Sequence, residues 1–418
     1  MKRFLIYLLI AILATIPAIA LRLGGLNPNP LIDAGVFGVA ILAAGFMLSW
    51  GAEAAESRVS QGLMLAGLAL VTVLPEYAID IYYAFRAGQA PDSNYVHYAA
   101  ANMTGANRLL VGAAWPMVVF LHWRRTRERA IELKPSNHVE LLFLLLASLY
   151  AFVILIKDRI DLVDFAVLLA IFGAYIWRVS RSLRSGAGTA AEDHDDDDDD
   201  QEPGPAAVLE TLTARSQWIW TAALTLTAGT IILLSAEPFA NSMIASGRAL
   251  GVDEFLLIQW VAPLTGESPE ILLAILFVYA ARPGSALIAL ISDKINQWTL
   301  LVGALPIAMS VGAGTLVSLP LSARQHEEFF LTAAQSLFGI SLLLGLRLRL
   351  SGAIALAVLF GGQVVLAFTL QNNPSTEITA LTALGWVYLA LAALVLLVEW
   401  PNLTARFRGS AKSRAMIS

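Results

Sequence analysis

The sequence predicts an all-α polytopic membrane protein: two inverted five-helix halves with an extra helix at each end, about twelve spans in all. Three observations predict it. The 418 residues are 57% hydrophobic and only 14% charged, with a mean hydropathy of +0.69, which is too apolar for an ordinary soluble domain. Apolar runs of roughly 20 residues, each long enough to cross the hydrocarbon core, recur along the chain. Two stretches on either side of an acidic segment repeat the same polar landmarks in the same order.

Composition also excludes. With no cysteine there is no disulfide, thiol chemistry or thiolate metal site, and the five histidines have no metal-ligand spacing. The net charge of −5 is dominated by one run of aspartates, so it gives no sign of a nucleic-acid partner. Strand alternation of the outer-membrane barrel type is absent.

The spans read as 4–22, 33–54, 61–85, 96–121, 139–156, 161–178, 217–246, 252–280, 285–312, 328–346, 351–370 and 378–399. The first is a retained helix or a signal peptide. Lys2 and Arg3 form a basic start, and Ala18-Ile19-Ala20 fits a cleavage site, but the apolar run is long for one. Lysine and arginine set the orientation. One side receives nineteen, including Arg124, Arg125, Arg127, Arg129, Lys134, Arg347 and Arg349; the other receives six, Arg22, Arg86, Lys157, Arg159, Arg248 and Arg324. The rich side is expected to be cytoplasmic, with both termini on it, in an inner (plasma) membrane.

The expected organisation is an extra helix or signal peptide over 1–32, a first half over 33–180, a linker over 181–215, a second half over 216–372 and an extra helix with a basic tail over 373–418. The linker contains "EDHDDDDDDQE", whose like charges repel and favour a solvated cytoplasmic connector.

The internal repeat is specific. An Ala-Glu falls late in one span, at Glu53 and Glu237, and a Pro-Glu early in the next, at Pro75-Glu76 and Pro269-Glu270. Arg86 and Gly88 then match Arg282 and Gly284, and "NRLLVG" from Asn107 matches "NQWTLLVG" from Asn296. The two Pro-Glu spans cross in opposite senses, so the repeats are inverted, a pattern of secondary transporters with a midplane site.

Acids inside a membrane are costly and usually functional. Glu76 and Asp80 are four apart, and Glu267 and Glu270 three apart, so each pair shares a helix face. A proline frees a backbone carbonyl one turn earlier. Carboxylates, freed carbonyls and the hydroxyls of Thr72, Thr265 and Ser292, with Asn107 and Asn296, make a hard-oxygen set suited to Na⁺ or Ca²⁺. Glu76 and Glu270 are duplicated by the repeat. Asp80 and Glu267 are not, and a structural role remains open for them and for the two asparagines.

These segments resemble the α-repeats of the sodium/calcium exchanger (cation/Ca²⁺ antiporter) superfamily, as a divergent, bacterial-type member. "VTVLPE" at 71–76, "TGESPE" at 265–270 and "SDKIN" at 292–296 carry the likeness. The resemblance covers roughly residues 35–370. It implies the exchanger fold, cation antiport, and Glu76, Glu270, Asn107 and Asn296 as ligands. The chain departs from the family pattern: Val73 follows Thr72, Gly266 and Glu267 stand where Thr and Ser are expected, and Met103 replaces a serine. Arg108 and Lys294 lie inside spans beside the ligand positions and compensate charge.

The expected function is a secondary-active antiporter moving Ca²⁺ or another cation against H⁺ or Na⁺, with no resident cofactor. Its partners are inorganic cations and the lipid bilayer, and the oligomeric state is open. Lys294 points to H⁺, because an ammonium can release its proton when a metal cation enters; an interfacial lysine or a permanent ion pair is the competing reading. Two other classes stand beside the antiporter. An intramembrane enzyme could use paired carboxylates as acid and base, although mirrored halves do not suit unequal catalytic roles. A non-transporting sensor could keep the fold and replace ions by salt bridges.

Overall fold

The computed structural model describes residues 1–25, 28–55, 73–189 and 205–415. Thr72, the first part of the 61–85 span and the aspartate run of the linker lie outside the described residues. Twelve helical columns are described, matching the twelve expected spans. They are α1 (Lys2–Gly24), α2 (Pro30–Ala55), α3 (Leu74–Gln89), α4 (Tyr95–Leu109) continuing into α5 (Trp115–Thr126), α6 (His138–Lys157), α7 (Leu162–Thr189), α8 (Ala214–Leu250), α9 (Glu254–Tyr279), α10 (Pro283–Asn296) continuing into α11 (Val302–Ala313), α12 (Ala323–Leu343), α13 (Leu350–Leu370) and α14 (Pro374–Ala415). Ten of the columns contain a described helical stretch long and apolar enough to cross a membrane.

The joints within the third column of each half are π turns, Leu110–Ala114 and Gln297–Leu301. They follow Asn107 and Asn296 closely, so the repeat extends to a rare backbone feature that concentrates at functional sites.

Four short strands confirm the inversion. β1 (Ala130–Glu132) pairs antiparallel with β4 (Arg347–Arg349), and β2 (Arg159–Ile160) with β3 (Leu319–Pro320). β1 joins the third and fourth columns of the first half, and β4 the fourth and fifth of the second. β2 and β3 hold the same places with the halves exchanged. Swapping the halves therefore carries one pair onto the other. Each pair also joins two loops that the charge count puts on the same side of the membrane.

The halves are tightly interleaved. α2 and α8, the first helix of each half, pack along each other, and α1 lies against both. Arg22 of α1 bonds Glu237 of α8 at 2.5 Å. Glu53 of α2 accepts backbone N–H bonds from Ala206 and Ala207 at 3.1 and 3.0 Å, fixing the chain that enters the second half. At the start of α7, burial pushes the Asp161 carboxyl up, but the Lys157 ammonium and the N–H groups of Asp164 and Val163 outweigh it and hold it at about 2.

Closest approach is made by glycine. A Cβ on Gly88 of α3 would stand 2.0 Å from the Met309 carbonyl of α11, and one on Gly312 would stand 2.0 Å from the Phe85 carbonyl. Small residues let membrane helices approach to backbone contact, where packing replaces the missing hydrophobic drive. Gly88→Val and Gly312→Val are therefore expected to destabilise the protein by about 1–3 kcal/mol or more. Gly361→Ala, where nothing lies within 4 Å, should stay within about 0.5 kcal/mol of wild type. Thermal unfolding in detergent checks this; equal melting of all three would refute the crossing argument.

Candidate functional site

The two Pro-Glu segments meet at the centre. Gly45 of α2 brings them together: a Cβ there would lie 2.8 Å from the Pro269 ring and 3.6 Å from the Pro75 ring. Pro75 begins α3, whereas α9 runs unbroken through Pro263 and Pro269. The expected interruption of the second repeat is thus confined to hydrogen bonding. Pro269 has no N–H to offer the Thr265 carbonyl, while the Ser268 hydroxyl donates to the Leu264 carbonyl.

Glu76 of α3 lies against Gly266 of α9, where a Cβ would be 3.5 Å from the Glu76 Cβ. This is where a larger residue of the family pattern is replaced by glycine. Glu76 is 2% exposed, and neither carboxyl oxygen has a hydrogen-bond donor. The Glu267 carboxyl lies close enough to those of Glu76 and Asp293 for their charges to act on one another. Glu267 also accepts from the Gln297 amide at 2.6 Å, while its second oxygen is orphaned. Glu270 keeps one buried, unpartnered oxygen, and Asp80 accepts from Asn102 at 2.9 Å with its other oxygen unpartnered. The structure therefore gathers Glu76, Asp80, Glu267 and Glu270, with Asp293, into one electrostatically coupled group. Among the described residues, no three His, Cys, Asp or Glu side chains are arranged to hold a metal ion by themselves.

The amides and hydroxyls are distributed around these acids. Asn107 accepts from Lys294 through both its backbone and side-chain oxygens at 3.1 Å, and Asn296 accepts from the Tyr77 hydroxyl at 3.1 Å. Each repeat's asparagine is thus engaged by a residue of the other half. Ser292 faces away, bonded to Tyr175 at 2.8 Å, and Thr265 lies beside Gly38 of α2.

Lys294 is fully buried and does not reach the interface. Its ammonium lies 5.5 Å from the Trp298 ring and within electrostatic range of Glu267, Asp293 and Arg108, and forms no salt bridge among the described residues. Arg108 turns the other way. Its guanidinium pairs with Glu328 of α12, lies 4.9 Å from the Trp260 ring, and is 1% exposed. Gln259 donates to the same Glu328 oxygen.

Glu328, Gln297, Tyr77 and Gln259 were missed from sequence. Glu328 sits at the start of an apolar run and reads as a loop acid. Gln297, directly after the matched Asn296, carried a signal in its position within the repeat. On another side of α3 and α4, a cleft of about 430 Å³ is lined by Ser93, Asn94, Tyr95, Tyr98, Asn241, Ile244, Ala245 and Arg248.

Two inverted halves with buried acids at their junction define a secondary transporter of inorganic cations. The chain belongs to the sodium/calcium exchanger (cation/Ca²⁺ antiporter) superfamily, as a multi-pass membrane transporter and not an enzyme. Residues 32–181 match the family model described as sodium/calcium exchanger protein. The solved structure of an H⁺/Ca²⁺ exchanger, CAX, is 37% identical, with a TM-score of 0.86 and 99% of both chains covered. Native YfkE, at 14% identity, has a TM-score of 0.60 over 87% of this chain and 99% of that one. The sodium-calcium exchanger NCX_Mj, at 18% identity, has a TM-score of 0.51 over 80% and 99%. These last two likenesses show the fold alone. No curated protein matches the chain.

The Arg108–Glu328 pair yields a prediction. Removing one partner of a buried pair leaves an uncompensated charge, costing about 3–5 kcal/mol, whereas removing both costs far less. Arg108→Gln should strongly lower the unfolding temperature, and Arg108→Gln with Glu328→Gln should recover most of it. Additive losses in a double-mutant cycle would show that the two side chains are not coupled.

Proposed function

We propose that the protein is a Ca²⁺/H⁺ antiporter that works by alternating access and lies in the inner (plasma) membrane with both termini cytoplasmic. The observation that carries the reading is Glu76: a carboxyl 2% exposed, with both oxygens free of donors, facing Glu267 across the junction of the halves. Such a group calls for a cation or a proton.

In this reading Glu76, Glu267 and Glu270, with Asp80, supply charge to the transported Ca²⁺. The Thr265 carbonyl, released by Pro269, adds a neutral oxygen, as hard divalent cations prefer. Thr72, Asn107 and Asn296 are the remaining candidate ligands, while Ser292 is taken up by Tyr175. The acids exchange the metal for protons, so one group serves both ions. Three things support H⁺ over Na⁺ as the coupling ion: the 37% identity to an H⁺/Ca²⁺ exchanger, Lys294 placed among the acids where a second metal cation would otherwise be needed, and the departures from the family pattern at Val73, Gly266 and Met103.

The test is Ca²⁺ uptake into Na⁺-free proteoliposomes under an imposed pH gradient. Wild type should accumulate Ca²⁺. Glu76→Gln and Glu270→Gln should each lose at least tenfold in uptake, about 1.4 kcal/mol or more, while melting no lower than wild type, because each removes a buried charge. Lys294→Gln should change the pH dependence of uptake; an unchanged profile would make Lys294 structural. Uptake that requires Na⁺ would defeat the proton-coupled reading.

A further inference from the structure

A second buried polar cluster lies on the first turns of α12, away from the Pro-Glu acids. Glu328 there accepts from Arg108 of α4 and Gln259 of α9. Its neighbour Glu327 is equally buried, 2% exposed, and neither of its carboxyl oxygens meets a donor. One turn earlier, at the arginine-poor face, Arg324 bonds Asp253 at 2.6 Å and Glu377 at 3.1 Å.

The charged groups acting on Glu327 come from three helices: Glu328 and Arg324 of its own, Arg108 of α4 and Glu377 of α14. α6 also packs on α12, but its Lys157 is taken up by Asp161 and Asp164. Asp158, just beyond α6, holds His326 at 2.5 Å. Toward the centre, Arg108 adjoins Asn107, whose two oxygens accept from the Lys294 ammonium at 3.1 Å. Arg324, the Arg108–Glu328 pair and Lys294 therefore lie between the arginine-poor rim and the central acids.

Glu327 needs a neutralising partner, since an unpaired carboxylate in the protein interior is strongly disfavoured. A metal cation does not suit the place. A metal ion takes several oxygen ligands, whereas the neighbouring acid Glu328 is already taken up by Arg108 and Gln259. A proton neutralises the group on one carboxyl oxygen and needs no further ligand. We propose that Glu327 is a proton-binding residue on a route for H⁺ between the arginine-poor rim and the central acids, separate from the path of the metal ion. The route deepens the proton-coupled reading and rests on it; proton binding at Glu327 does not.

Two measurements on the full chain separate these claims. Infrared spectra of the purified protein should show, near neutral pH, a protonated-carboxyl C=O band that is lost in Glu327→Gln and shifted in Glu327→Asp. An undiminished band in Glu327→Gln would overturn proton binding there. In proteoliposomes, Glu327→Gln should keep isotopic Ca²⁺/Ca²⁺ exchange within about twofold of wild type and lose at least about tenfold in H⁺-driven Ca²⁺ uptake, as for removal of a proton-transfer group. Glu327→Asp should restore part of it. Equal loss of both rates, or loss of neither, would overturn the route. Wild type that exchanges Ca²⁺ but takes up none on a pH gradient would defeat proton coupling and the route together, with the infrared band still deciding Glu327.

Discussion

A carboxylate cannot stand alone in a dry interior, and the centre of this protein is arranged around that constraint. Glu76, Asp80, Glu267, Glu270 and Asp293 crowd into one electrostatically coupled group, and the protein supplies them with few donors: Gln297 for Glu267 and Asn102 for Asp80. Lys294 adds a positive charge nearby but spends its hydrogen bonds on Asn107. The acids are left under-compensated by the protein's own groups. Full compensation would bury them permanently, as in the Arg108–Glu328 pair; partial compensation leaves room for an exchangeable ion. On the proposed reading, this contrast separates a structural ion pair from a site that can load and release.

The frame around the acids keeps them in place. Gly45 lets both prolines approach one point on α2, and Gly88 and Gly312 let α3 and α11 meet backbone to backbone. The two strand pairs link loops of opposite halves on each side of the membrane. These contacts tie the Pro-Glu core to both halves. α1 and α14, outside the repeat, lie at the periphery; α1 is tied to α8 through Arg22 and Glu237.

Local features of the fold were legible in the sequence because they obey local rules. Span length, the arginine bias and the duplicated Pro-Glu and Asn landmarks fix twelve columns and their inversion without knowledge of any contact. Burial of Glu76, Asp80 and Glu267 followed from their position in apolar runs. What could not be read were partners set by packing. Arg108 and Lys294 look equivalent in sequence, each beside a repeat asparagine, yet one reaches α12 and the other the opposing asparagine. The difference depends on residues some two hundred positions away. The prolines of α9 leave the helix continuous and release only a carbonyl.

The repeat is symmetric in backbone and asymmetric in chemistry. Both asparagines precede a π turn and both are engaged from the opposite half, but one receives an ammonium and the other a phenol. The first repeat places Asp80 one turn after Glu76, whereas the second places Glu267 almost one turn before Glu270, so Asp80 and Glu267 have no counterparts under the two-fold. In the proposed alternating access, a symmetric frame would give two mirrored conformations of similar energy. The unequal side chains then break the degeneracy: each conformation sees the same ion with different groups around it. Lys294 is the largest such difference, since it puts a buried positive charge on one side of the axis with only Arg108, directed toward α12, as a counterpart on the other.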